Sequence, residues 1–598
     1  MGWHYYRRLG SEKEKATLPV KVILKRLLPL FRSYFKYLSI IALMYVLRMV
    51  LNLVLPLFVA GLVDSAYTGN IPELTKYSIY FLAFSLALWV IGYIRIYFIS
   101  VTGQSFIRDL RNKLFQTLLK TKIEVLKKEE TGKIVSRVMN DVDVIGETFT
   151  SNIIDVFIQI ITMLGAFFIM FTINLELTLA ILPLIPLIFI LNYFFTTRAM
   201  KVFRKAREAV AKVTSKVEQE VSGAAVSKTF IQRKERNIRE FRKVSMEYVQ
   251  ANVESTKIVS SVGPTMSVIR AMGVALILYL GGSLILQGKL TVGNLLAFYG
   301  YLDMFFRPLR TLAIFFNTVQ SALAAAERIT NLLQAEQEKS GNLRKKVEGY
   351  VEFKDVVFGY EPGNPVIKGV SLSAGPGEIV AIVGPTGSGK STLAKLLLRF
   401  YDPWSGVITL DGEPIQYYDL EYLRKVIAYV PQEPAVLSGK VIDNIVASSN
   451  VDRKYVEKII SELGVKHIFD PMPNGLETEL VAEGKNISKG QKQVISLLRA
   501  VVASPKVLVL DEATSNVDVE TELRIYDRLI DLVREKKITL IVIAHRILAI
   551  TGADRIYVLQ DGKIVEEGKH EELIRRKGLY YRLWKLQSEG VMEAVPVT

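Results

Sequence analysis

Eight consecutive residues, Gly384-Pro385-Thr386-Gly387-Ser388-Gly389-Lys390-Ser391, have the spacing G-x-x-x-x-G-K-[ST] of a loop that wraps phosphate. The glycines let backbone N–H groups close around anionic oxygens, and the N-terminus of a following helix adds positive potential. Lys390 is placed to reach β- and γ-phosphates, and the Ser391 hydroxyl to ligate magnesium. Downstream, the apolar run Val507-Leu508-Val509-Leu510 ends on Asp511-Glu512. Two carboxylates at the C-terminal end of a buried strand suit two tasks, Asp511 in a magnesium shell and Glu512 polarising an attacking water. A further apolar run, Thr539–Ala544, ends on His545, placed for contact with a γ-phosphate.

The elements needed to hold these groups can be read around them. Ile379–Val383 reads as a buried strand entering the loop, and Thr392–Phe400 as the helix leaving it. From Tyr350 to about Gln587 short β-rich runs alternate with helical ones, as in an α/β domain. We therefore expect an ATP-binding domain over 350–587, preceded by a polar linker over 336–349 and followed by a tail over 588–598.

The first 335 residues have a different character. Of 598 residues, 50% are hydrophobic, Lys+Arg number 76 against 59 Asp+Glu, and the net charge is +17. Mean hydropathy is +0.27, high for a water-soluble chain. That much apolar matter excludes a disordered polyelectrolyte, and long uncharged runs argue against a nucleic-acid binder. With no cysteine, disulfides, thiol catalysis and Cys-ligated metal sites are excluded, and four histidines make a His-rich metal site a poor expectation.

The apolar runs predict membrane spans near 37–63, 77–99, 153–173, 175–195 and 259–286, each close to the ~20 residues a bilayer needs. A sixth, 292–317, is interrupted by Asp303, Arg307 and Arg310, but an even number of crossings keeps both the basic N-terminus and the ATP-binding half in the cytoplasm. Segments 103–150 and 198–257 are rich in Lys and Arg, whereas 64–76, 174–176 and 287–290 are nearly without them, so the long connections are cytoplasmic. Residues 20–35 read as an amphipathic helix on the membrane surface. Segments 106–126 and 202–248 read as helices projecting beyond the membrane, with turns at Thr131–Gly132 and Ser222–Gly223.

Taken together, these motifs resemble an ABC exporter half-transporter, over about residues 19–587. The resemblance implies a membrane all-α six-helix exporter domain (1–335) fused to an α/β P-loop ATPase domain with a helical subdomain. Phe358-Gly359-Tyr360 is similar to the adenine-stacking loop, which makes Tyr360 the aromatic platform. Tyr429-Val430-Pro431-Gln432-Glu433 resembles the Q-loop, in which Gln432 senses magnesium. Ser515–Asp518 resembles the D-loop, and Ala544-His545-Arg546 the switch-histidine motif. Val481–Gly484, Thr131–Arg137 with Asn140–Asp143, Phe306–Arg310 and Ala324–Ile329 are similar to further family segments.

One motif departs from the family. Its signature, usually Leu-Ser-Gly-Gly-Gln, reads Ile487-Ser488-Lys489-Gly490-Gln491 here. Ser488, Gly490 and Gln491 remain to meet ATP, while Lys489 adds a side chain where backbone approaches phosphate. Because the family binds ATP between two such domains, the resemblance implies a second half-transporter. The altered signature points to a heterodimer with one competent and one degenerate site, with a homodimer tolerating Lys489 as the alternative.

The implied activity is ATP- and Mg2+-dependent export of a small amphiphilic molecule across the cytoplasmic membrane by alternating access. An ATP-gated channel or regulatory ATPase is the alternative from another class, and an importer a third. Charges inside spans mark candidate substrate residues. Arg48, Arg95, Arg270 and Asp303 are those candidates, with Asp155 and Asp303 as counter-charges and Asn52, Gln159 and Asn192 as neutral polar candidates; the competing reading is that they pair or snorkel.

Overall fold

The computed structural model describes residues 19–229, 231–447, 451–512, 519–544 and 550–592. It divides into two units, one of Met1–Lys120 with Glu129–Ala335 and one of Thr121–Lys128 with Glu336–Thr598.

The first unit is helical, as a chain crossing a bilayer must be when no water is present to satisfy its backbone. Among the described residues five helical stretches are long and apolar enough to span: Leu28–Tyr67, Ile71–Lys120, Thr131–Ile173, Leu175–Ser222 and Lys234–Leu286. The sixth predicted span lies within one 42-residue helix, Val292–Leu333. Its weak hydropathy is offset by ties to the first span. Tyr301 is fully buried and donates to the Leu53 carbonyl at 2.5 Å. The Asp64 carboxylate accepts from Thr291 Oγ1 and Gly293 N, both at 2.7 Å. Gly293 is required there, since a Cβ would lie 2.1 Å from the Ala60 carbonyl.

Three sequence-based boundaries shift. The expected fourth span opens as a short helix, Leu175–Ile181, and restarts as Leu184–Ser222, because Pro183 has no N–H to continue the ladder. The helix expected over 106–126 ends at Lys120. Thr121 instead forms a β-bridge with Gln337, Lys122 N donates to the Glu336 carbonyl at 3.0 Å, and a separate short helix covers Ile123–Lys127. The next helix starts at Thr131 after the extended residue Glu130, and π-helical turns at Arg137–Asp141 and Thr148–Asn152 interrupt its first half. The other expected turn falls at Gly223.

The second unit is built on two main sheets, with strands numbered in chain order. Strands β1 (Val351–Phe358), β2 (Ile367–Ala374), β4 (Ser405–Leu410) and β5 (Glu413–Pro414) form an antiparallel sheet in the order β2-β1-β4-β5. Strands β3 (Ile379–Val383), β6 (Ile427–Val430), β9 (Val507–Asp511), β10 (Thr539–Ile543), β11 (Arg555–Gln560) and β12 (Lys563–Gly568) form the other, in the order β12-β11-β3-β10-β9-β6. All its neighbours run parallel except the edge strand β12. A small pair joins β7 (Gly439–Lys440) to β8 (Glu479–Leu480).

Every residue of β3, β9 and β10 is buried, which is why these strands read as continuous apolar runs rather than alternating ones. One core cluster packs the helices Arg453–Glu462 and Lys489–Val502 through Val456, Ile459, Val494 and Leu498. The segment expected to be a linker, 336–349, is bound along its length to this unit. Arg424 holds Glu338 through two 2.8 Å hydrogen bonds, Val347 is buried, and the Asp411 carboxylate accepts from the Glu348, Gly349 and Tyr350 amides.

Candidate functional site

Strand order decides where the chemistry collects. β3 lies between β11 and β10, and β10 lies beside β9, so the C-terminal ends of β3, β10 and β9 are adjacent. Gly384 leaves β3 so close to β11 that a Cβ would be 2.0 Å from the Leu559 carbonyl oxygen. Gly389 takes φ 105° at the start of the helix Lys390–Leu397, a conformation that side chains resist. That helix begins two residues earlier than the sequence pattern indicates.

Lys390 is folded back over its own loop, donating to the Gly384 carbonyl at 2.8 Å and the Pro385 carbonyl at 3.0 Å. Burial pushes its ammonium pKa down, opposed by the charges of Glu512 and Asp511. The Ser388 hydroxyl is buried with no hydrogen-bond partner among the described residues. A buried orphan hydroxyl inside a glycine cradle, beside a partly desolvated lysine, fits a polyphosphate.

Asp511, at the end of β9, is only 2% exposed. Its Oδ1 accepts from Ser391 Oγ at 2.9 Å and its Oδ2 from the Tyr429 hydroxyl at 3.0 Å. Burial raises the Tyr429 pKa first, with Asp511 adding to it, so the phenol stays a donor at neutral pH. A carboxylate and a serine hydroxyl already in contact form the oxygen pair that a hard divalent cation takes. In the sequence Tyr429 stands only as part of the Gln432 motif. Its place in strand β6, whose residues run in parallel register with β9, was the signal available.

Glu512 follows in a left-handed conformation, φ 51°, fixed by its N–H donating to the Ile543 carbonyl at 3.1 Å. Its carboxylate accepts from Gln432 Nε2 at 2.5 Å. The structure therefore joins Gln432, Glu512, Asp511, Ser391 and Lys390 in one constellation. His545 and the segment 515–518 lie outside the described residues. Ile543 pairs with Asp511 on one side and Ile382 on the other, so the chain toward His545 leaves from between them.

Tyr360 is partly exposed, shares a 3.2 Å hydrogen bond with Thr392, and has Tyr401 and Phe358 edge-on at 5.2 and 5.3 Å. These rings steady the tyrosine and leave an aromatic surface for a base. The altered signature stands apart in its hydrogen bonding. Ser488 caps the helix Lys489–Val502 by accepting from Gln491 N at 3.1 Å, and Ser488 N donates to Gln491 Oε1 at 2.9 Å. Gln491 also donates to the Ile468 carbonyl at 3.1 Å. Lys489 is exposed at the first helical position, with Gly490 one residue inside, and it pairs with no other described residue.

In the membrane unit the four charged candidates fall into two groups. Arg270 meets the Tyr299 hydroxyl at 3.2 Å and Asp303 at 3.4 Å. Arg95 lies 4.6 Å over the Tyr45 ring, and Arg48 approaches Gly92 one turn from Arg95.

A helical unit made to span a bilayer and a triphosphate-binding unit in one chain define a membrane-embedded ATPase. Comparison with known proteins agrees. Residues 38–309 match the family model for the ABC transporter transmembrane region and residues 367–515 that for the ABC transporter. An uncharacterized ABC transporter ATP-binding protein of Bacillus subtilis, YknV, is 32% identical over 91% of this chain and 90% of its own length. A fatty acid ABC transporter ATP-binding/permease protein of Mycobacterium bovis is 34% identical over 84% of this chain and 80% of its own. The solved structure of a bacterial Atm1-family ABC exporter with ATP bound superposes with a TM-score of 0.74 at 25% identity, covering 95% of this chain and 99% of that one. The chain belongs to the ABC transporter family as an exporter-type half-transporter, an integral membrane protein that hydrolyses ATP to drive transport.

Proposed function

We propose that this chain pairs with a second half-transporter in the cytoplasmic membrane and exports an amphiphilic molecule, with hydrolysis centred on Glu512. The observation that carries the reading is the contact of Ser391 with Asp511 beside the contact of Gln432 with Glu512. In this reading Tyr360 stacks on adenine and the backbone N–H groups of Gly384–Thr392, Pro385 excepted, hold the phosphates. Lys390 exchanges two neutral carbonyls for the β- and γ-phosphates. Ser391, Asp511 and Gln432 would hold Mg2+, which when bound neutralises charge on the β- and γ-oxygens. Glu512 takes a proton from water as the water oxygen bonds to the γ-phosphorus and the bridging β–γ bond breaks. His545 steadies the γ-phosphate.

Ser488, Gly490 and Gln491 serve the partner's nucleotide. A cation at the first position of a helix is unfavourable for that helix, by about 0.3–1 kcal/mol, because it meets the positive end of the dipole. An anion in front of Lys489 would remove that cost. This supports Lys489 acting on ATP held by a partner, and so a heterodimer whose second site binds nucleotide but turns over poorly. Nothing local demands glycine at 489, since the residue sits in ordinary helical backbone. ATP binding closes the paired ATPase domains because it favours the closed dimer, and hydrolysis resets them. The segment Thr121–Lys128, part of the ATPase unit yet continuous in sequence with membrane helices at both ends, is a natural point of coupling. An amphiphilic cargo is in keeping with the fatty acid transporter among the relatives.

The test is phosphate release by the full chain in lipid, alone and with a partner half-transporter, with Glu512→Gln as control. Turnover only with the partner, reduced about 100-fold or more in the control, is the expected result. Robust turnover by the chain alone would overturn the heterodimer, and turnover indifferent to Glu512→Gln would overturn the assignment of the base.

A further inference from the structure

Two π-helical turns interrupt the helical stretch Thr131–Ile173, at Arg137–Asp141 and Thr148–Asn152. A π turn closes i→i+5 hydrogen bonds where an α-helix closes i→i+4 ones, so it stores one extra residue. Such turns are rare, and one persists where its surroundings over-determine it. The two turns are held in different ways.

The second turn is fixed by close packing. Thr148 and Thr150 are buried, and Thr150 Oγ1 donates to the Gly146 carbonyl at 2.5 Å. Gly146 lies so close to the helix Ile71–Lys120 that a Cβ on it would be 2.7 Å from Ile107 Cγ1. A Cβ on Gly103 of that helix would be 3.3 Å from Thr150 Oγ1. A contact packed this tightly transmits strain instead of absorbing it.

The first turn is gripped by side chains instead. Arg111, on the helix Ile71–Lys120, donates from Nε to the Val138 carbonyl at 3.3 Å and from Nη2 to the Met139 carbonyl at 3.2 Å. Two carbonyls within the turn are thus met by a guanidinium. The same Nη2 reaches Asp143 Oδ1 at 2.8 Å. Asp141, the last residue of the turn, accepts two 2.8 Å hydrogen bonds from Arg328 on the helix Val292–Leu333. Val135, Ser136, Met139 and Asn140 are exposed, so this part of the stretch has room to turn without opening a core.

We propose that the Arg137–Asp141 turn is a register switch held in its present setting by Arg111. With the packed turn at Thr148–Asn152 as the fixed end, release of Arg111 lets the first turn tighten to α geometry and feed out its stored residue. Each residue of Thr131–Ser136 then moves to the place its predecessor held, about 100° around the axis and about 1.5 Å along it. The stretch begins just after Thr121–Lys128, which belongs to the ATPase unit, so the register changes where that unit joins the helix. That ATP drives the change rests on the transport reading above; the two settings of the turn do not.

The sequence has no cysteine, so a single introduced cysteine reports without background. The experiment measures maleimide labelling rates of the full chain in phosphatidylcholine nanodiscs, carrying Ile134→Cys, Val135→Cys or Ile145→Cys. Ile134 is half-buried between exposed Lys133 and Val135, and Ile145 is buried. When Arg111→Gln is added, the cysteine at 134 takes the exposed place of Lys133 and labels at least fivefold faster. The cysteine at 135 takes the half-buried place of Ile134 and labels at least fivefold more slowly, while the rate at 145 is unchanged. Arg111→Lys gives the same signs with smaller changes. Deletion of Met139 removes the stored residue, so Arg111→Gln then alters none of the rates. Saturating MgATP on the assembled dimer with Glu512→Gln reproduces the exchange while Arg111 is intact. Unaltered rates in both Arg111 variants, changes of one sign at 134 and 135, or the same exchange after deletion of Met139 would overturn the proposal. Exchange in Arg111→Gln with none on MgATP would refute its part in the ATP cycle and leave the two settings of the turn standing. Thermal unfolding of each chain separates a change of register from loss of the fold.

Discussion

The hydroxyl of Tyr429 offers a direct measure of how Asp511, the carboxylate proposed to hold Mg2+, is positioned. Asp511 is 2% exposed, and its two oxygens accept from Ser391 at 2.9 Å and Tyr429 at 3.0 Å. Tyr429→Phe removes one donor and leaves Oδ2 short of a partner in a place water reaches poorly. A hydrogen bond to a charged group is worth about 1.5–3 kcal/mol. At about 2–4 °C per kcal/mol for a domain of this size, a loss of about 2 kcal/mol lowers the unfolding midpoint of the ATPase domain by about 4–8 °C. The assay is thermal unfolding of the full chain in detergent, first without nucleotide and then with saturating ATP and Mg2+. Without nucleotide the full decrement appears. With MgATP it shrinks, because a cation held by Ser391 and Asp511 would offset the charge that the lost donor leaves on the carboxylate. A double-mutant cycle with Ser391→Ala reports coupling through Asp511 of about 0.5 kcal/mol or more. A midpoint within 1 °C of wild type, or the same decrement with and without MgATP, would refute the reasoning.

Other substitutions probe the remaining parts. Lys489→Gly raises steady-state ATP turnover of the assembled dimer about twofold or more if the lysine spoils a second site, read by phosphate release; unchanged turnover would make the lysine harmless. Gly389→Ala places a Cβ at φ 105° and 2.7 Å from Ile367 Cδ1, so ATP affinity in equilibrium binding falls tenfold or more. Asp141 is buried and accepts two 2.8 Å hydrogen bonds from Arg328, so Asp141→Asn lowers the stability of the membrane unit by about 3 kcal/mol, measured by thermal unfolding. Glu338→Gln, which removes the charge held by Arg424 at 2.8 Å, loosens the segment after the last membrane helix and speeds amide hydrogen exchange across 336–349.

Where the chemistry depends on neighbours along the chain, the residues themselves declared it. The run from Gly384 to Ser391 needs only a strand before it and a helix after it, and both show in local hydrophobic periodicity. Asp511 and Glu512 were legible for the same reason, at the end of a wholly apolar run. The apolar length of five spans, the charge bias of their connections and the α/β alternation after Tyr350 likewise follow from composition, because a bilayer and a two-faced buried sheet each impose a simple pattern.

Boundaries set by distant partners were not legible. The helix over 106–126 stops at Lys120 because Thr121 and Lys122 pair with Gln337 and Glu336, more than two hundred residues away. The polar run 336–349 resembles a linker because its partners, Arg424, Asp411 and Asp419, lie elsewhere in the chain. Glu512 adopts positive φ because Ile543 on the neighbouring strand accepts its N–H, which no propensity signals. The sequence by itself determined that a phosphate-binding ATPase follows a set of membrane spans, since those properties are carried by contiguous residues. Only the tertiary structure decided that Tyr429 holds Asp511, that Gln432 holds Glu512, that Arg270 pairs with Asp303 and that Arg95 stacks on Tyr45. Hydrogen bonds and ion pairs depend on distances of a few ångströms between residues far apart in sequence, and strand order and helix packing alone set those distances.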